Sequence, residues 1–139
     1  MVKNSVWLLQ EICGVKLYVY RSNVQNATTI YFLDGDQFKE PFNHWIIKHQ
    51  PALNFVLLNA NNRTDDYTPW PLQASETMPI DFGGKADEHL SFITTHVIPF
   101  FEGEYGFASS AEKRVIGGYS LGGLFSLYAA VNTDLFGTV

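Results

Sequence analysis

The chain predicts an α/β fold: a mostly parallel sheet covered by helices and entered through an N-terminal antiparallel hairpin. Three observations predict it. A segment of strand-type alternation follows a tight Cys13-Gly14 turn. Apolar, β-branched runs then alternate with stretches of helical period. Finally, Gly118-Tyr119-Ser120-Leu121-Gly122 joins a short apolar run directly to an amphipathic one.

Each element has its own reason. Residues 6–12 read as a first strand. Val15, Leu17 and Val19 alternate with Lys16, Tyr18 and Tyr20, which gives a second strand with one buried face. Residues 28–33 are apolar on both faces and read as a central third strand. Asp34-Gly35-Asp36 closes it. Phe42, Trp45, Ile46 and His49 recur at helical spacing, with Pro41 near the start of that helix and Pro51 stopping it. Residues 54–58 form a fourth strand. Residues 59–84 are rich in Asn, Asp, Thr, Pro and Gly, and a loop this long in one domain is usually functional. Leu90, Ile93, Val97 and Phe101 mark a second helix with a kink or stop at Pro99. Residues 115–118 form a fifth strand, and Leu121, Leu124, Phe125, Tyr128 and Val131 a third helix. The first strand is expected to run antiparallel to the rest.

Bulk properties narrow the function. A chain of 139 residues fits one domain. Its net charge of −5, with no Lys/Arg cluster, argues against a grip on nucleic acid. The single cysteine, Cys13, excludes an intrachain disulfide and reads as a small buried hydrophobe. No apolar run approaches a membrane span, and Asn4, Ser5, Gln10 and Glu11 interrupt any signal-like core after Lys3. A cytoplasmic protein without cofactor or metal is the expectation. Asp65-Asp66 has no spaced ligand set to make it a metal site.

Gly118 to Gly122 matches G-x-S-x-G. A serine attacks well when a tight strand-to-helix turn stands its hydroxyl clear of the backbone, and that turn forces a strained conformation. The flanking glycines avoid Cβ clashes, and the helix N-terminus favours a developing negative charge. Three fixed positions occur by chance in roughly 5% of chains this long; the strand before and helix after are what make this match informative. The bland alternative is a glycine-rich turn with an idle serine. Gly117 and Gly123 suit helix–sheet contact. Tyr119 either covers the site or, the preferred reading, packs on a neighbouring helix.

Four segments in order resemble a known family, the esterases that include esterase-D-like enzymes and enterochelin-type siderophore esterases, within the α/β-hydrolase superfamily. They are residues 31–36 (Tyr-Phe-Leu-Asp-Gly-Asp), residues 62–69 (Asn-Arg-Thr-Asp-Asp-Tyr-Thr-Pro), residues 83–100 from Gly83-Gly84-Lys85 to Ile98-Pro99-Phe100, and residues 117–123. The resemblance covers roughly residues 28–139. It implies an α/β-hydrolase-type sheet cut short after the helix that follows Ser120, and so one incomplete domain over residues 1–139. It implies Ser120 as nucleophile toward an ester carbonyl. The oxyanion would be held by the backbone N–H of Leu121 and one from Gly35 or Asp36.

The same resemblance exposes a gap. Triad order in this fold is Ser, then Asp or Glu, then His. His44, His49, His89 and His96 all precede Ser120, in segments read as helices, where a surface or half-buried histidine is the plain reading. Asp134, the one carboxylate after Ser120, reads as a turn or capping residue. A serine without a base is a poor nucleophile, so residues 1–139 alone are expected to be near-inactive. The fifth strand is expected to form an apolar edge, which invites homo-oligomers.

Arg63 reads either as a clamp on an anionic or polyphenolic acyl group or as an ion-pair partner of Asp65 or Asp66. Asp34 and Asp36 read as Asx-turn residues. Trp70, between Pro69 and Pro71, either lines an acyl pocket or, slightly preferred, plugs the loop against the core. Trp45 and Phe42 read as core, and Phe100-Phe101 as a helix-end anchor. Two functions remain: a serine carboxylic-ester hydrolase on a small-molecule ester (a small acyl ester, a thioester or a siderophore ester), or a non-catalytic remnant or binding module of the same fold.

Overall fold

The computed structural model describes residues 4–139; Lys3, with its early positive charge, lies outside them. Five strands form one sheet: β1 (Leu8–Ile12), β2 (Val15–Tyr20), β3 (Thr28–Leu33), β4 (Leu53–Leu58) and β7 (Arg114–Gly117). A separate two-stranded ribbon pairs β5 (Pro71–Leu72) with β6 (Phe82–Gly83). The helices are α1 (Gly35–His49), α2 (Arg63–Asp66), α3 (Ala86–Phe92), α4 (Ile98–Glu104) and α5 (Leu121–Asn132). A π turn, Ile93–Val97, joins α3 to α4, and a 3₁₀ turn, Ala111–Lys113, precedes β7.

The sheet order is β1-β2-β4-β3-β7. β3 lies between β4 and β7 and is parallel to both, so the expected central strand is central. β2 pairs antiparallel with β1 and with β4. Direction therefore corrects one expectation. β1 runs the same way as β3, β4 and β7, and β2 is the strand that opposes them. The hairpin turn is two residues, Cys13 (φ 50) and Gly14 (φ 79), both left-handed as a tight hairpin requires. That conformation places Cys13 at an exposed tip, which overturns its reading as a buried hydrophobe.

The pleat divides the sheet into two apolar faces. Leu17, Val19, Tyr31, Leu33, Val56, Leu58 and Ile116 share one core with Leu90, Ile93, Val97, Phe101, Phe125 and Ala129 from the later helices. On the other face α1 lays Phe38 and Phe42 on Phe32, with ring centroids 5.2 and 5.0 Å away. Trp45, expected in the core, is 43% exposed at the rim of that contact. Phe101 is fully buried, as an anchor should be.

Proline and helix boundaries differ from expectation in two places. α1 begins at Gly35, so Pro41 lies inside the helix rather than near its start. It occupies an exposed position, where a carbonyl without a helical donor can be hydrated. Pro99 neither stops nor ends its helix. The π turn before it widens the backbone, with the Ile98 N–H bonding the Ile93 carbonyl five residues back. No described helix is long and apolar enough to cross a membrane.

Candidate active site

β7 ends beside the end of β3, with Gly117 opposite Phe32. Three residues later the chain turns through Ser120 at φ 59, ψ −121, and α5 starts at Leu121. A non-glycine residue held there costs on the order of 1–3 kcal/mol, which the surrounding contacts must offset. Those contacts are visible. A Cβ on Gly118 would lie 2.5 Å from the Gly122 carbonyl carbon, so the corner closes only because Gly118 has no side chain. One on Gly122 would lie 3.4 Å from both Leu33 and the Asp34 carboxylate. The Gly122 N–H bonds the Tyr119 carbonyl at 3.0 Å, and the Leu124 N–H bonds the Ser120 carbonyl at 3.1 Å, the first bonds of the new helix. Ser120 is left exposed at the sheet's carboxyl end. Tyr119 sets its ring edge-on to Phe38 of α1, 6.3 Å between centroids, yet stays on the surface.

The neighbouring strand end is equally constrained. Asp34 closes β3 in a left-handed conformation, φ 56 and ψ 53. Gly35 opens α1, and a Cβ on it would sit 3.1 Å from the Leu57 backbone. Gly35 and Leu121 are the first residues of their helices, so neither N–H has a helical acceptor. Asp36 differs: its N–H donates to Asn59 Oδ1 at 2.8 Å, and its carboxylate meets the Tyr18 hydroxyl. Of the two candidate donors after β3, Asp36 is therefore committed elsewhere.

Arg63, at the start of α2, donates from Nε and Nη2 to the two Asp34 carboxylate oxygens at 3.1 and 3.0 Å. This fork holds its guanidinium even more firmly protonated. Its partner is thus neither Asp65 nor Asp66, and Asp34 uses its carboxylate for an ion pair rather than an Asx turn. The Asp34 N–H donates to the hydroxyl of fully buried Tyr67 at 3.2 Å. Burial pushes the Tyr67 phenol up, so it stays neutral. The Arg63–Asp34–Tyr67 set was missed in the sequence. Its one signal was Arg63 itself, a cation in a polar loop whose partner lies 29 residues away in the chain.

Two other residues depart from expectation. His89 is buried, with Tyr67 and Phe125 rings 5.6 and 5.0 Å away and Nε2 without a partner. Desolvation lowers its pKa, against the opposing pull of Asp66. His44, His49 and His96 are exposed on helices. Trp70 does not plug the loop: it is 67% exposed and faces Leu121 and Leu124 across a shallow depression.

The comparisons with known proteins fall on this frame. Solved structures that it resembles include the siderophore hydrolase EstA from Aspergillus nidulans (TM-score 0.68, 20% identity, 93% of this chain and 53% of that one). The BES protein from Bacillus cereus gives 0.72 at 20% identity over 95% of this chain and 58% of that one. The enterobactin esterase FES from Shigella flexneri gives 0.67 at 17% identity over 97% and 35%. These likenesses define the fold as that of α/β-hydrolase-type esterases. A curated relative, "Uncharacterized protein YbbA" of Bacillus subtilis (strain 168), is 36% identical over 90 residues, which are 64% of this chain and 36% of that protein. The chain belongs to the esterase family described as "Putative esterase", whose model matches residues 9–139. It spans between 35% and 58% of the length of these relatives.

Proposed function

We propose that the chain carries the nucleophile half of a serine carboxylic-ester hydrolase. One observation carries the reading: Ser120 stands exposed in a strained strand-to-helix corner that closes because Gly118 has no side chain. Ser120 Oγ attacks the ester carbonyl and loses its proton to a base. The carbonyl π pair moves to oxygen, where the N–H groups of Leu121 and Gly35 receive it, each worth about 3 kcal/mol in the transition state. Collapse expels the alcohol oxygen, which takes the proton, and leaves an acyl-serine for water to cleave. Asp36, the other sequence candidate, gives its N–H to Asn59 and is not assigned a donor's part. Arg63 serves substrate binding through Asp34. It holds the strand end from which the Gly35 donor projects, leaving Nη1 outside that fork.

A base is the open element. All four histidines precede Ser120; His89 is buried and the others lie exposed on helices. That observation favours a second reading, a binding module with the same fold. Fluorophosphonate treatment separates them. The 139-residue chain should label slowly, with peptide mass mapping placing the adduct on Ser120 and Ser120→Ala abolishing it. Prolonged exposure without an adduct there leaves the binding module as the surviving reading. Rapid labelling would instead mean that a base already serves Ser120.

A further inference from the structure

We infer that the depression between the β5–β6 ribbon and the first turns of α5 is a subsite for an uncharged apolar group of about benzene size, the acyl or aryl part of the ester. Its meaning as an acyl site depends on the Ser120 reading; its existence as a binding site does not.

The walls are Pro69, Trp70, Leu72 and Phe82 from the loop and ribbon, and Leu121 and Leu124 from α5. Trp70, Leu72 and Leu124 are all exposed large hydrophobics, and they converge on one place. Thr68 is the polar residue of the lining, and its hydroxyl is spent: it donates to the Thr64 carbonyl at 2.8 Å and accepts from the Gly84 N–H at 2.9 Å. The depression, open on its solvent side, has a volume of about 180 Å³. An apolar cavity of about 150 Å³ holds benzene, so a six-carbon ring or a short acyl chain matches the space.

The shape is built in advance. A Cβ on Gly84 would lie 2.3 Å from the Pro71 nitrogen, and one on Gly83 would lie 2.2 Å from the Asp65 carboxylate. The ribbon therefore seats closely against α2 and the Trp70–Pro71 segment. The Lys85 N–H bonds the Asp65 carbonyl at 2.8 Å and the Ala86 N–H bonds the Thr68 carbonyl at 3.1 Å, which ties the ribbon's exit to its entry. Trp70 stands on a clamped segment, so less ordering entropy opposes binding.

Position gives the subsite its role. Leu121 follows Ser120 directly and Leu124 lies one turn along the same helix, so the apolar floor begins at the nucleophile. Charge sets the selectivity. No titratable group lines the depression, and the loop's cation, Arg63, is already held by Asp34. A carboxylate placed here would lose water without gaining a partner.

Methyl ¹H–¹³C NMR of the 139-residue chain, titrated with benzamide and in parallel with benzoate, tests the inference. Benzamide should shift Leu72, Leu121 and Leu124 methyls saturably, with benzoate about tenfold weaker or more. Leu124→Asp, an exposed position, should weaken benzamide about tenfold; Trp70→Ala should weaken it about fivefold, through lost apolar contact. Ser120→Ala should leave it unchanged. Shifts centred elsewhere, an equal response to benzoate, or indifference to both pocket variants would overturn the subsite. Benzamide binding without fluorophosphonate labelling would remove the nucleophile reading alone. Labelling without benzamide binding would remove the subsite alone.

Discussion

Asp34 makes three commitments at once: it accepts the Arg63 fork, donates its N–H to Tyr67, and holds a left-handed backbone. Its carboxylate is 9% exposed and Arg63 is 40% exposed, so the pair is only partly desolvated. Loss of a hydrogen bond to a charged group then costs about 1.5–3 kcal/mol, with solvent screening pulling toward the low end. Asp34→Asn should lower stability by that amount in urea titrations, and Arg63→Ala added to it should cost little more, a coupling that a double-mutant cycle reads directly. In an active form the same variant should reduce kcat more than it raises KM, because the donor of Gly35 is displaced. His89 makes a pH prediction. Burial depresses its pKa below the ordinary 6.5, while Asp66 partly opposes that, and Cys13 and Glu88 share the cavity beside it. Above 6.5 the imidazole is neutral in both states and contributes nothing. As pH falls through 6.5 the unfolded chain takes up a proton that the fold resists, so stability falls until the lowered folded pKa is reached. Thermal melts from pH 8 to 5 should show a falling Tm, shallower in His89→Phe.

At the scale of elements, the Ser120 corner is a joint with no room for a side chain at Gly118. Gly118→Ala must move the Gly122 backbone, since 2.5 Å leaves no room for a methyl group. We expect a loss of about 1–3 kcal/mol, the usual cost of overpacking, measured by denaturant unfolding. A fully tolerated substitution would mean that the Gly122 backbone shifts aside without cost. The strands were legible because alternation and β-branched runs record burial directly: β3 falls on Thr28–Leu33, as expected. Helix limits were less so. Asp34-Gly35-Asp36 looks like a turn locally, yet it opens α1, because Asn59 receives the Asp36 N–H from across the sheet. Pro99 looks like a break, yet a π turn absorbs it. In both cases a distant or rearranged hydrogen bond overrode the local signal.

Across the whole molecule the two sheet faces are unequally covered. The α1 face keeps an apolar groove among Ile30, Phe42, Trp45, Leu53 and Phe55. Among the described residues, the outer edge of β7 is covered by a short tail segment: the Gly137 N–H donates to the Arg114 carbonyl at 3.1 Å, and Thr138 bridges Val115 and accepts the Ile116 N–H at 3.1 Å. We therefore expect the chain to self-associate, with light-scattering mass rising with concentration and Trp45→Glu reducing it. A monodisperse monomer at every concentration would contradict this. The sequence by itself determined the α/β class, the order of the sheet-forming elements and the Ser120 corner, because period, turn glycines and strand-to-helix succession are local properties. Only the tertiary structure decided that Arg63 belongs to Asp34, that the Asp36 N–H is taken, that His89 is buried and that Trp70 faces Leu121. Those depend on which segments meet across the sheet, and no local pattern of residues encodes a partner 29 positions away.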